Sequence, residues 1–278
     1  MIVPFRLSSN YDLDPHHFRV YEAISNGSED WLEPMAEEYI RVLTDSAIRL
    51  KSIKISEDTD MDMSRLKPYL IKASIPRYEE GNFNVVRSDF GELLCYMLLE
   101  RDYSTMFGEK SIYSRELRDR PGRGIDAIGI EESDLLTLVL CEVKVSDEQS
   151  SPPGVVDQGK ECLSRQHRSH IDNLQKATKD KVWRAVNKTR NQKIAVLLAT
   201  AAIRLEENRY DEVHIIVCSL LVRPRAKHRS NDFGSFRTNP AHYSPAIIRF
   251  LVACIPGDVD DIIRKWHNIV QRKTEVSV

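Results

Sequence analysis

The segment GRGIDAIGIEESDLLTLVLCEVKVS, residues 122–146, decides how the chain is read. Two apolar runs, AIGI and LLTLVLCEVKV, flank the polar turn Glu131-Glu132-Ser133-Asp134, the pattern of a β-hairpin. Asp126 stands at the start of one arm, and Glu142 and Lys144 stand on the other. Ionisable side chains seldom sit among apolar strand residues unless they are paired or functional. Side chains two apart on a strand share a face, so Glu142 and Lys144 point the same way, about 7 Å apart, while Val143 and Val145 point into a core.

A short turn brings Asp126 opposite the Glu142 end of the second arm. Two carboxylates held that close repel each other and need a cation between them. Mg²⁺, or Mn²⁺ in its place, is the expected ion, because it takes a few hard oxygen ligands and keeps waters for a substrate phosphate. The carbonyl of Val143, at a strand end, is a further expected ligand. Such an ion beside a lysine suits phosphodiester hydrolysis: it lowers the pKa of bound water and offsets charge growing on the phosphate. Lys144 stays protonated beside carboxylates, so its expected part is to orient water or steady phosphate oxygens rather than to act as the base.

The pattern Gly-Ile-Asp126, a hairpin, then Glu142-Val-Lys144 resembles the PD-(D/E)xK nuclease superfamily, with Ile125 in place of the usual proline. The resemblance covers roughly residues 82–218. It implies that Glu92, in RSDFGELL, is an additional metal ligand on the helix before the hairpin. Gln166 and His170, in CLSRQHRSH, are similar to that superfamily's Gln-x-x-x-Tyr element, with histidine for tyrosine. More narrowly, RSDFGELL, GIDAIGI and LCEVK together look like the nuclease subunit of the bacterial Hachiman anti-phage system, HamA. That likeness implies a DNA-cleaving subunit coupled to an ATP-dependent, HamB-like helicase.

The fold expected around the hairpin is α/β, a restriction-endonuclease-like mixed central sheet flanked by helices. Residues 81–278 form this nuclease-like domain, and residues 1–80 form an N-terminal α-rich accessory region that contacts a partner. In the first region, residues 28–52 read as a helix capped by Ser28, with no catalytic constellation. In the second, residues 88–103 read as a helix capped by Ser88 or Asp89, with Leu93, Leu94, Met97 and Leu98 on one face. Residues 160–192 form a long polar helical stretch. The alanines of IAVLLATAAIRLEEN, from residue 194, favour helix. HIIVCSLLV and AIIRFLVACI read as strands, and a helix capped by Asp258 closes the chain.

Composition excludes several classes. The 278 residues are 41% apolar and 29% charged, as in an ordinary soluble protein, and the formal charge of −2 gives no overall field toward nucleic acid. The N-terminus lacks a signal-peptide core, and the most apolar window, residues 194–203, is too short for a bilayer span of about 20 residues. Five separated cysteines form no CxxC pair, which removes zinc-finger and thioredoxin readings; Cys141, Cys218 and Cys254 read as buried thiols in a reducing cytoplasm.

Charge is nonetheless uneven. Residues 160–193 hold ten basic and three acidic residues, and VRPRAKHRSNDFGSFR adds a second cluster. Arg165, Arg168, Lys176, Lys179, Arg223 and Arg225 are therefore the expected contacts to DNA backbone, giving affinity with little sequence specificity. Taken by themselves, Gln166 and His170 read more simply as exposed helix residues among polar neighbours, and Glu92 as a cap or a partner of Arg87. The competing function is a catalytically inactive DNA-binding or scaffold module with the same sheet. A stand-alone restriction endonuclease would need base-reading contacts that the sequence does not display.

Overall fold

The structure is a computed structural model that describes residues 3–25, 29–47, 75–76, 83–114 and 124–275. Among these residues, seven strands form one mixed sheet, in the spatial order β1 (Phe5–Asn10), β2 (His17–Ala23), β7 (Ile247–Ile255), β6 (Val213–Pro224), β5 (Leu136–Val145), β4 (Ala127–Glu131) and β3 (Met106–Lys110). The β2–β7, β7–β6 and β6–β5 pairs are parallel, and antiparallel pairs close each end. The longer helices are α1 (Leu32–Ala47), α2 (Phe83–Tyr103), α3 (Leu163–Asp172), α4 (Lys179–Lys188), α5 (Gln192–Glu206) and α6 (Val259–Glu275).

Helices cover both faces of the sheet. Val139, Cys141 and Val143 of β5 join one apolar layer with α1, α2 and α6, while Leu138 and Leu140 join the other with α3, α4 and α5. A strand enclosed on both faces reads as a continuous apolar run, which is why LTLVLCEVKV is apolar until its last residues. Each fully buried Val or Leu there contributes about 1.5–3 kcal/mol. Alternation then places Glu142 on the face of Leu138 and Leu140, one residue beyond Cys141, the last residue paired with β4.

Residues 1–80 are not simply α-rich: β1 and β2 belong to the same sheet as the hairpin, and β2 runs parallel to β7. β1 escapes a reading from sequence because FRLSSN is a polar edge strand with little apolar alternation, and an edge strand needs a partner on one side only. Helix α1 packs beside α6, where Tyr39 meets Trp266 at a ring separation of 4.9 Å. Ser28, the expected cap, and the boundary expected at residues 80/81 lie outside the described residues.

Two further expectations change. Helix α2 begins at Phe83, so Ser88 and Asp89 lie inside it, and Asp89 is buried, accepting a 2.5 Å bond from the Tyr39 hydroxyl. From Asp89 to Leu99 the helix is buried on all sides rather than on one face, because α1 and α6 cover what the sheet does not. The 160–192 stretch is not one helix: α3 and α4 are separated at Leu174–Thr178, where Lys176 has φ −121°, ψ −111°. The expected Asp258 cap is present, with Oδ1 accepting from the amides of Asp260 and Asp261 at 2.9 and 3.2 Å.

Candidate functional site

The end of β5 lies beyond β4, so its edge there lacks a strand partner. Asp126 fills the gap. Its amide donates to the Cys141 carbonyl at 3.1 Å, and its Oδ2 accepts from the Val143 amide at 2.8 Å. Residues 141 and 143 turn their main-chain groups toward the same side, so the Val143 carbonyl is left on this open edge. Glu92, Asp126, Glu142, Val143 and Lys144 line one cleft of about 560 Å³, together with Arg87, Glu161 and Gln166.

Helix α2 carries Glu92 to this cleft because Gly91 lets it approach closely. A Cβ on Gly91 would fall 2.8 Å from Val143 Cγ1 and 3.0 Å from Val145 Cγ2. Arg87 does not pair with Glu92; its guanidinium lies 3.5 Å from Asp147 and 3.5 Å from Asp260. Glu92 instead takes bonds at Oε2 from the hydroxyls of Tyr96 and Ser111.

The three carboxylates share one bonding pattern. Glu92 is held at Oε2, Asp126 at Oδ2, and Glu142 at Oε1, which lies 2.7 Å from His170 Nε2. Among the described residues, the second oxygen of each has no hydrogen-bond partner. Burial pushes Asp126 up to about 8, and the Glu142 charge adds to the shift. Burial also pushes Glu142 up to about 8, against the pull of the Lys144 and Lys181 ammonium groups. Glu92 is raised by burial and then by the Asp126 charge. A group of acids held this way either keeps protons at neutral pH or shares a cation.

His170 is buried, contrary to the expectation of an exposed helix residue. Leu163, His167, His170, Ile171 and Leu174 are all buried, the i, i+4, i+7, i+8 spacing of an inward stripe. That spacing was the available signal. Burial drives the His170 pKa down to about 4, with the Lys181 charge adding to it. Gln166 lies on the neighbouring part of α3, with Oε1 buried and unpartnered among the described residues. Tyr96, Ser111 and Lys181 were missed; Tyr96 stands one helical turn beyond Glu92 and so shares its face.

The open oxygens and the Val143 carbonyl are the hard oxygen ligands that suit a divalent ion, and the uncommitted Lys144 ammonium beside them suits an anion. Among the described residues, Lys144 makes no ion pair within 4.0 Å. The carboxylates are not gathered into a tight cage. Among the described residues, the group of three whose ligand atoms lie within 4.8 Å of one another is Cys95, Cys141 and Cys218. Those thiols are fully buried in the apolar layer, where cysteine packs as a small apolar residue. The wider carboxylate spacing suits an ion held directly by one or two acids, with water completing its shell.

The expected DNA contacts divide. Arg165 and Lys176 are exposed, and Arg168 pairs with Asp172 at 2.6 Å. Lys179 pairs with Glu206 at 3.2 Å and Arg225 with Glu22 at 2.9 Å. Arg223 cannot serve: it is fully buried, 3.1 Å from Asp232, and donates to the carbonyls of Ser150 and Lys227 at 2.8 and 2.9 Å. It holds the loop after β5 from within, because as a β6 residue it points beneath that loop rather than to solvent. No helix among the described residues is long and apolar enough to cross a membrane.

A family model described as HamA matches residues 4–269, nearly the whole chain. No curated protein matches it.

Proposed function

The chain belongs to the HamA family, and from that premise we propose that it is the metal-dependent nuclease subunit of the Hachiman anti-phage defence system. The reading is of a PD-(D/E)xK enzyme on a restriction-endonuclease-like sheet, hydrolysing DNA phosphodiester bonds with little sequence specificity. The observation that carries it is the shared bonding of Glu92, Asp126 and Glu142, which line one cleft, each with one oxygen tied to the protein and the other without a hydrogen-bond partner among the described residues.

Asp126, Glu142 and the Val143 carbonyl would hold Mg²⁺ or Mn²⁺, with Glu92 reaching it directly or through water. When bound, the ion supplies an activated water and offsets charge on the phosphate. Lys144 binds and orients a phosphate oxygen, since its ammonium sits beside acids and has no partner among the described residues. Val143 fixes Asp126 through its amide, and His170 fixes Glu142. Gln166 offers its unpartnered Oε1 to whatever occupies the cleft. Arg165 and Lys176, exposed on the strongly basic stretch after β5, draw in the DNA backbone. A helicase subunit supplies the substrate, which accounts for a nuclease of nearly neutral charge.

The decisive experiment is DNA cleavage in Mg²⁺ or Mn²⁺ by the purified protein with its helicase partner, comparing wild type with Glu142→Ala and Lys144→Ala. Both variants are expected to fold and to lose cleavage. Unchanged cleavage by both would place the chemistry elsewhere, and absence of cleavage in the wild-type complex favours a binding module.

A further inference from the structure

Tyr96 and Ser111 come from different elements, yet each reaches both Glu92 and the main chain of Asp126. The Tyr96 hydroxyl lies 3.0 Å from Glu92 Oε2 and 3.1 Å from the Asp126 carbonyl. The Ser111 hydroxyl donates to the same Glu92 oxygen, and the Ser111 amide donates to the same Asp126 carbonyl at 3.0 Å. Tyr96 is buried in α2, its ring edge-on to Phe107 at 5.2 Å. Ser111 follows directly on β3 and opens the short helical turn Ser111–Ser114. Two hydroxyls and one amide therefore stitch the helix carrying one acid to the strand start carrying another.

We propose that Tyr96 and Ser111 are positioning residues for the metal site: by occupying Glu92 Oε2 they aim Oε1 into the cleft, in fixed register with Asp126. The inference rests on the metal-dependent reading above and adds residues to it. An unrestrained glutamate would sample several rotamers, and ordering it on binding costs affinity. Two donors on one oxygen remove that freedom beforehand and leave the other oxygen as the one available. Outer partners of this kind alter metal affinity by about 10–100-fold when removed. A purely structural role for the same hydroxyls predicts something different: loss of stability independent of Glu92.

The test is Mn²⁺ binding by calorimetry on the full chain without DNA, in wild type, Y96F, S111A and E92Q, and in Y96F and S111A each combined with E92Q. Circular dichroism establishes that every variant is folded. The expected result is a loss of Mn²⁺ affinity of about tenfold or more in Y96F and S111A, and no further loss when either is added to E92Q. Wild-type affinity in both single variants overturns the inference alone, as does an equal additional loss in the E92Q background. A wild-type protein that takes up no Mn²⁺ overturns the metal reading and this inference with it. Y96F keeps the ring against Phe107, so its result reports the hydroxyl.

Discussion

His170 Nε2 lies 2.7 Å from Glu142 Oε1, both groups buried, so a helix outside the hairpin fixes the orientation of the central acid of the Glu-x-Lys strand. The contact ties α3 to β5 at the point where the sheet opens into the cleft.

His170→Ala should lower DNA cleavage by about 10–100-fold, as removal of an orienting partner does. His170→Gln, which can still donate from its side-chain amide, should recover part of the loss. Cleavage rates with parallel melting curves decide this. If both variants cleave at the wild-type rate, the contact does not position Glu142.

Stability without metal should fall as pH rises. Asp126 and Glu142, held near 8, bind protons in the folded state that unfolded carboxylates release near 4. Between those values the folded state binds more protons, so raising pH disfavours it, with the loss complete above about 8. Mg²⁺ should therefore raise the melting temperature more at pH 8 than at pH 6, and Asp126→Asn should blunt that difference. Thermal melts across pH, with chelator or Mg²⁺, measure both effects; a metal shift independent of pH contradicts the assignment.

Gly91→Val should separate α2 from β5. Its first added carbon already falls 2.8 Å from Val143 Cγ1, and the contact is with branched side chains in a packed layer. Overpacking of this kind costs about 1–3 kcal/mol, and Glu92 should move with the helix. Denaturant titration and Mn²⁺ affinity should both decline.

Arg223→Ala and Arg165→Ala should fail in different ways. Removing the buried Arg223 leaves Asp232 without its guanidinium, and breaking a buried pair costs about 3–5 kcal/mol. The His228 ring 2.8 Å from Asp232 and the Ser151 hydroxyl 2.7 Å from it place the expected loss toward the lower end. Arg165→Ala should leave stability unchanged and weaken DNA binding, with a salt slope shallower by about 0.9. Equilibrium unfolding and binding at several salt concentrations separate the two.

Much of the fold could be read from the chain because its signals are local. LTLVLCEVKV, HIIVCSLLV and IIRFLVACI are apolar over the length of a strand enclosed on both faces, and IAVLLATAAIRLE carries the composition and spacing of α5. Asp126 and the Glu142–Lys144 pair stood out because charge interrupts those runs. The β1 strand gave no such signal, since an edge strand with a polar face looks like loop, and in β2, HFRVYEA, charged residues break the apolar run.

The sequence by itself determined the hairpin, the alternation that puts Glu142 and Lys144 on one face, and the family to which the chain belongs. Only the tertiary structure decided that His170 faces inward, that Arg223 is an internal tie, and that Tyr96 and Ser111 grip Glu92. Alternation along a strand follows from neighbouring backbone geometry. Pairing between Glu142 and His170, 28 residues apart, or between Arg223 and Asp232 beneath a loop, depends on how layers close over one another. That closure is set by the sum of many weak packing contacts, which no short window of residues contains.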